Sequence, residues 1–162
     1  QILKDHENLV VIKSISKSFG IPGVRLGLIA SASAEALKLI RAKLSIWNIN
    51  SFGEFALQIM GKYRGDYERS LIEIQAERKF LFSHMQGIPF LRVLPSQANY
   101  LMCEVTDNRT ARDVCVTLWD QHEILVKDLS QKRGIYPRQF IRISVRNHQD
   151  NTTLISALKS MY

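Results

Sequence analysis

Two cysteines in 162 residues are too few for a disulfide scaffold. Nothing in the spacing of Cys103 and Cys115 requires them to pair. The plain reading is two buried, reduced thiols in a cytoplasmic protein. No apolar run approaches the ~20 residues that a membrane-spanning helix needs. Gln1 to Glu7 is polar, and the run Leu9 to Ile12 is too short for the core of a signal peptide. The four histidines, His6, His84, His122 and His148, lack metal-ligand spacing, so no metal site is expected. Acidic residues are in deficit, 15 against 22 lysines and arginines, for a net charge of +7. Most of the basic residues alternate with acids on helical segments, as in Glu77-Arg78-Lys79, which describes a solvated face rather than a nucleic-acid surface. The exception is Lys127 to Arg146, where six cations face one acid, Asp128. That segment reads as a basic surface loop or as a mouth that attracts small anions. Asn108-Arg-Thr and Asn151-Thr-Thr match the glycosylation sequon, a short pattern that also arises by chance.

What is present is an ordinary globular composition, 46% hydrophobic and 23% charged. Leu9-Val-Val-Ile12 reads as a buried parallel strand, and Val24 to Ala30 as a second. Gly20, Pro22 and Gly23 force a compact loop between them. Ser33 is an N-cap with Glu35 in the first turn, and Leu37, Ile40 and Leu44 form one stripe. Helical pattern then runs from Phe52 to Met85, with a break expected near Gly61 or Gly65-Asp66. Beyond Gly87-Ile-Pro89 the pattern predicts strands at Phe90–Leu94 and Asn99–Val105. A helix is predicted over Thr110–Gln121, strands at Ile124–Val126 and Gln139–Val145, and a last helix over Asn147–Met161. That order describes a small α+β sandwich.

Chemistry concentrates in Ser14-Ile-Ser-Lys17-Ser-Phe-Gly-Ile-Pro-Gly-Val-Arg25-Leu-Gly27. Alternation along an extended backbone puts Ser14 and Ser16 on one side. Two hydroxyls and a guanidinium suit a phosphate. A lysine beside a cation is disposed to lose its proton and attack a carbonyl carbon. The second concentration is Phe140-Ile-Arg-Ile-Ser-Val145, where strand alternation separates Arg142 from Ile141, Ile143 and Val145.

Both segments resemble the fold-type I pyridoxal-phosphate enzymes of the class I/II aminotransferase superfamily, and the resemblance covers essentially the whole chain in order. It implies an α/β fold, with residues 1–65 as the end of the large cofactor-binding domain. Residues 66–162 would be the small C-terminal domain, joined to it by a long helix near 66–85. It implies that Lys17 forms the Schiff base with the cofactor, pyridoxal phosphate, and that Ser14, Ser16 and Arg25 hold the cofactor's phosphate. Arg142 would bind a substrate anion, as would Lys127, which stands where related enzymes carry arginine. Asn99, in Pro95-Ser-Gln-Ala-Asn-Tyr, is expected near the arginine's strand.

Trp47-Asn-Ile-Asn50 looks closest to a Trp-x-Val-Asn element of threonine-phosphate decarboxylases. It reads equally as a helix-linking turn anchored by a buried Trp. The resemblance implies an aminotransferase that moves an amino group between a small anionic amino acid and a 2-oxo acid, in the manner of histidinol-phosphate aminotransferases. A phosphoamino-acid decarboxylase is the alternative, and a non-catalytic folding or dimerising fragment is a third. Only sixteen residues precede Lys17, which leads to the expectation of a C-terminal portion, inactive alone, whose parent enzyme is a homodimer.

Overall fold

The computed structural model describes residues 2–162; the side chains of Lys17 and Ser18 lie outside the described residues. The chain divides into two compact units, Gln1–Glu68 and Arg69–Tyr162.

The first unit opens with a short helix α1 (Ile2–Asp5), followed by strand β1 (Val10–Ser14) and a single helical turn, α2 (Ile15–Ser18). A 3-10 turn at Pro22–Val24 leads into β2 (Gly27–Ser31). Strands β1 and β2 pair antiparallel, Val10 against Ser31 through Ser14 against Gly27. This corrects the expectation of parallel strands. A parallel pair needs a crossover that carries the chain back along the sheet. Here the connection is spent on α2, a left-handed Gly20 (φ 67°) and the 3-10 turn, so the chain simply reverses. Strand β1 is exposed along its length in this chain.

Helix α3 (Ala34–Lys43) begins at Ser33, whose hydroxyl accepts the Ala36 N–H. Helix α4 (Ser51–Met60) is capped by the Asn50 side chain on Gly53 N. The turn at Gly61–Tyr63 separates α4 from α5 (Arg64–Met85), so the break expected near Gly61 or Gly65-Asp66 falls at the first of these.

The second unit is a four-stranded antiparallel sheet in the order β3-β4-β6-β5, with β3 at Leu91–Leu94 and β4 at Tyr100–Val105. Strand β5 is Lys127–Asp128, and β6 is Gln139–Ser144. Helices α6 (Ala111–His122) and α7 (His148–Lys159) and the end of α5 supply its core. Residues 124–126, expected as a strand, are not one. Glu123 takes a left-handed conformation (φ 56°), and Ile124 N still bonds the Leu118 carbonyl of the helix end. Only Lys127 and Asp128 reach the β6 ladder.

Alternation sorts the sheet into two faces. Leu91, Val93, Leu101, Cys103, Val105, Ile141 and Ile143 are buried with Leu81, Met85, Val114, Leu118, Leu154 and Leu158. Register places Tyr100, Met102, Glu104, Phe140, Arg142, Ser144 and Lys127 on the opposite face. Asn151, only 1% exposed, accepts Arg146 N–H and donates to the Arg146 carbonyl and to Glu77. A side chain so placed cannot carry a glycan, which removes that sequon.

Candidate functional site

In the first unit the lysine loop is pinned at its base. Ile15 and Leu26 are buried, and Ile15 N donates to the Leu26 carbonyl at 3.2 Å. Phe19 N closes the turn on the Ile15 carbonyl at 3.1 Å, and the Phe19 ring stacks on Tyr67 at 4.2 Å. Lys17 therefore has its backbone in a one-turn helix directly after a strand, while its side chain lies outside the described residues.

Ser14 ends β1 and is exposed; Ser16 is 5% exposed. Residues 15–18 are helical, so the strand alternation expected to align the two hydroxyls does not operate. Among the described residues the Ser16 hydroxyl has no hydrogen-bond partner, a costly arrangement for a buried polar group unless a ligand supplies one. Arg25 sits in the left-handed region (φ 54°), and its guanidinium makes one hydrogen bond, to the Pro22 carbonyl at 3.3 Å. Most of its donors stay open to a ligand. Hydroxyls and an uncommitted guanidinium on one short loop fit a phosphate group.

Asn50 supports this loop, a role not legible from sequence. It donates to the Val24 carbonyl at 3.0 Å, next to Arg25, while its oxygen caps α4. Gly53 lies beneath: a Cβ there would meet Leu26 Cδ2 at 3.0 Å and the Val24 oxygen at 3.3 Å. The available signal was an asparagine three residues before a glycine at a helix start. Trp47, three residues earlier, is 91% exposed, so it anchors no turn by burial.

In the second unit Lys127 and Arg142 are register partners on adjacent antiparallel strands. The Arg142 guanidinium lies 5.4 Å from the Tyr100 ring centroid. The Asn99 carbonyl accepts Val145 N–H at 2.9 Å, which places Asn99 at the end of the arginine's strand. At the far end of the same sheet face, Glu104 is held by Arg92 and receives two bonds from Arg138, at 2.5 and 2.7 Å. That acid is neutralised by its own arginines, leaving Lys127 and Arg142 as a pair of like charges side by side. Of the other cations in the segment, Arg146 is engaged with Asp150 at 2.6 Å. Tyr100 was missed at the sequence level, because its approach to Arg142 depends on which strand neighbours which.

Cys103 is buried beneath the sheet, and desolvation pushes its thiol up to about 12; Cys115, half-buried, rises to about 11. Neither is an activated nucleophile. Among the described residues no cluster of three or more potential ligands could hold a metal ion, and no helix is long and apolar enough to cross a membrane.

The mixed helix–sheet architecture is that of the fold-type I pyridoxal-phosphate transferases. The histidinol-phosphate aminotransferase of Clostridium acetobutylicum superposes with a TM-score of 0.87 at 29% identity, over 98% of this chain and 47% of that one. Residues 1–158 match the family described as aminotransferase class I and II, and the chain belongs to that family. Its members are pyridoxal-phosphate dependent.

The chain is 31% identical over 156 residues to a CMP-5'-(3-aminopropyl)phosphonate synthase of Streptomyces rubellomurinus, covering 96% of this chain and 25% of that protein. It is 31% identical over 158 residues to an L-serine phosphate decarboxylase of Sulfurospirillum multivorans, covering 96% of this chain and 40% of that protein. The chain thus spans under half the length of the relatives it matches. The family resemblance read from the lysine loop and the Arg142 strand is confirmed.

Proposed function

We propose that this chain supplies the lysine loop and the substrate-anion subsite of a pyridoxal-phosphate enzyme that transfers an amino group between a small anionic amino acid and a 2-oxo acid. The observation that carries this reading is the register pairing of Lys127 with Arg142 on the open sheet face. Two adjacent cations without a neutralising acid between them suit a doubly charged group, or a carboxylate and a phosphate on one small molecule. The three similar proteins named above carry phosphate or phosphonate in their names, which supports the same substrate class.

In this reading Arg25, Ser14 and Ser16 hold the cofactor's phosphate, and Lys17 carries the cofactor. When bound, pyridoxal phosphate supplies the electron sink that lets a bond at the substrate's Cα break. Lys17 would hold the cofactor, and its free amine would serve as the base that accepts the proton from the substrate's Cα. Arg142, steadied by Tyr100, and Lys127 orient the substrate so that the reacting bond is aligned.

Decarboxylation of a phosphoamino acid is the second reading, favoured by the likeness to the L-serine phosphate decarboxylase. The two differ in which Cα bond is aligned. Product analysis on the holoprotein separates them: L-histidinol phosphate with 2-oxoglutarate yields glutamate if the first reading holds, whereas L-serine phosphate releases CO2 if the second does. If neither product forms in a cofactor-loaded protein, both substrate assignments fail, and a protein that binds no cofactor at all is a segment that folds or dimerises without catalysis.

A homodimer belongs to the proposal. Ile46, Trp47, Phe52 and Phe55 form a largely exposed apolar run on and before α4, which a second copy would cover. Cytoplasmic placement rests on two unpaired thiols, Cys103 and Cys115. Nothing in the charge pattern calls for nucleic acid or a membrane as partner.

A further inference from the structure

The residues that carry Arg142's partner, Tyr100, into place begin on α5. Arg78, half-buried on that helix, donates from Nη1 to the carbonyls of Gln97 and Ala98, both at 3.1 Å, and from Nη2 to the Gln97 side-chain oxygen at 3.2 Å. It makes no ion pair among the described residues, so its guanidinium is committed to this turn. The turn is further drawn in by Ala98 N on the Ser96 hydroxyl at 3.0 Å. The chain then passes to Asn99, whose carbonyl accepts Val145 N–H from the far end of β6, and to Tyr100, opposite Ser144 in the ladder. Tyr100 is the first residue of β4 and is partly exposed, so its ring direction depends on what fixes the residues before it.

We infer that Arg78 is a positioning residue: by holding the Gln97 and Ala98 carbonyls it fixes the turn that delivers the Tyr100 ring against the Arg142 guanidinium. It touches neither substrate nor cofactor, and it acts through Tyr100. The inference deepens the proposed anion subsite and rests on that reading for its functional meaning. A charged donor is suited to the task, because two carbonyls and an amide oxygen converge where a neutral side chain would satisfy fewer of them. Lysine in its place keeps the charge but not the planar fork.

The test is made on the full 162-residue chain by NMR. In the wild type the Arg142 side-chain protons should carry an upfield ring-current shift from Tyr100, 5.4 Å away, which Tyr100→Leu should abolish. Arg78→Ala should reduce that shift by at least half while the amide signals of β6 and α7 stay in place. Arg78→Lys should restore part of it. Titration with inorganic phosphate then reads the consequence: apparent affinity at Arg142 and Lys127 falls by about threefold to tenfold in Arg78→Ala, the scale of lost positioning. Should Arg78→Ala fail to fold, Arg78→Gln makes the same comparison with one donor nitrogen retained.

A ring-current shift unchanged in a folded Arg78 variant overturns the inference. So does a loss of thermal stability with wild-type shift and wild-type phosphate affinity, which is what a purely structural arginine gives. If phosphate perturbs neither Arg142 nor Lys127 in the wild type, the anion-subsite reading fails, and the ring-current comparison still decides Arg78.

Discussion

The Arg142 guanidinium lies 5.4 Å from the centre of the Tyr100 ring, the two residues rising from neighbouring strands on one sheet face. A cation over an aromatic face at an exposed site contributes about 0.5–1 kcal/mol. The value here is directional: the ring holds a flexible side chain in one place. Tyr100→Phe should leave substrate KM within about twofold, and Tyr100→Ala should raise it about fivefold, since only the alanine removes the π-face. Steady-state kinetics of the holoprotein with L-serine phosphate or L-histidinol phosphate is the check.

Arg25 and Arg142 belong to different compact units, and the proposal gives them different anions. Arg25→Ala should weaken pyridoxal-phosphate binding by roughly 100-fold, the effect expected when a charged hydrogen-bond donor to phosphate is removed. Arg142→Ala should leave cofactor affinity unchanged and raise substrate KM, lowering kcat as alignment is lost. Equal loss of cofactor in both variants contradicts the division.

Asn151 is a stability prediction. Its amide satisfies both backbone groups of Arg146 and one oxygen of Glu77 from a fully buried position. Asn151→Ala orphans those groups and should cost about 2–3 kcal/mol. The shift in urea midpoint is the measurement, and a cost within about 0.5 kcal/mol, the level of an ordinary surface change, contradicts it.

Cys103 gives a pH dependence with a definite sign. Burial holds the folded thiol neutral up to about 12, while in the unfolded chain it ionises near an ordinary thiol's value. Above that ordinary value the unfolded state has bound fewer protons, so stability falls as pH rises. The contribution is fully present at lower pH. Urea midpoints taken from about pH 8 to about pH 10.5 should decline, and Cys103→Ala should remove that part of the decline. Equal slopes in the two proteins contradict the assignment.

The second unit was legible because its elements obey local rules. Strand alternation around Ile141 and Ile143, the Asn147 cap and the α7 stripe at Leu154, Ile155 and Leu158 are each set by neighbours in sequence. The family was legible in the lysine loop because its residue types follow one another directly. Pairing was harder to read. Whether Val10 to Ser14 meets a parallel or an antiparallel neighbour depends on how residues 15–26 turn, which composition leaves open. The same reason hid Asn50 and Tyr100, whose partners Val24 and Arg142 are distant in sequence. The Ser14–Ser16 alignment failed because it assumed an extended backbone where one helical turn forms. Residues 124–126 failed because the αL exit from α6 delays the strand by three residues.

The central claim is that Lys17 is the residue that carries the cofactor. Borohydride reduction of the pyridoxal-phosphate-loaded protein, followed by trypsin and peptide mapping, tests it directly. A reduced cofactor on Lys17 blocks cleavage there, so the account predicts one labelled peptide running from Ser14 to Arg25. A stable label on any other lysine of the chain, with Lys17 cleaved normally, contradicts it.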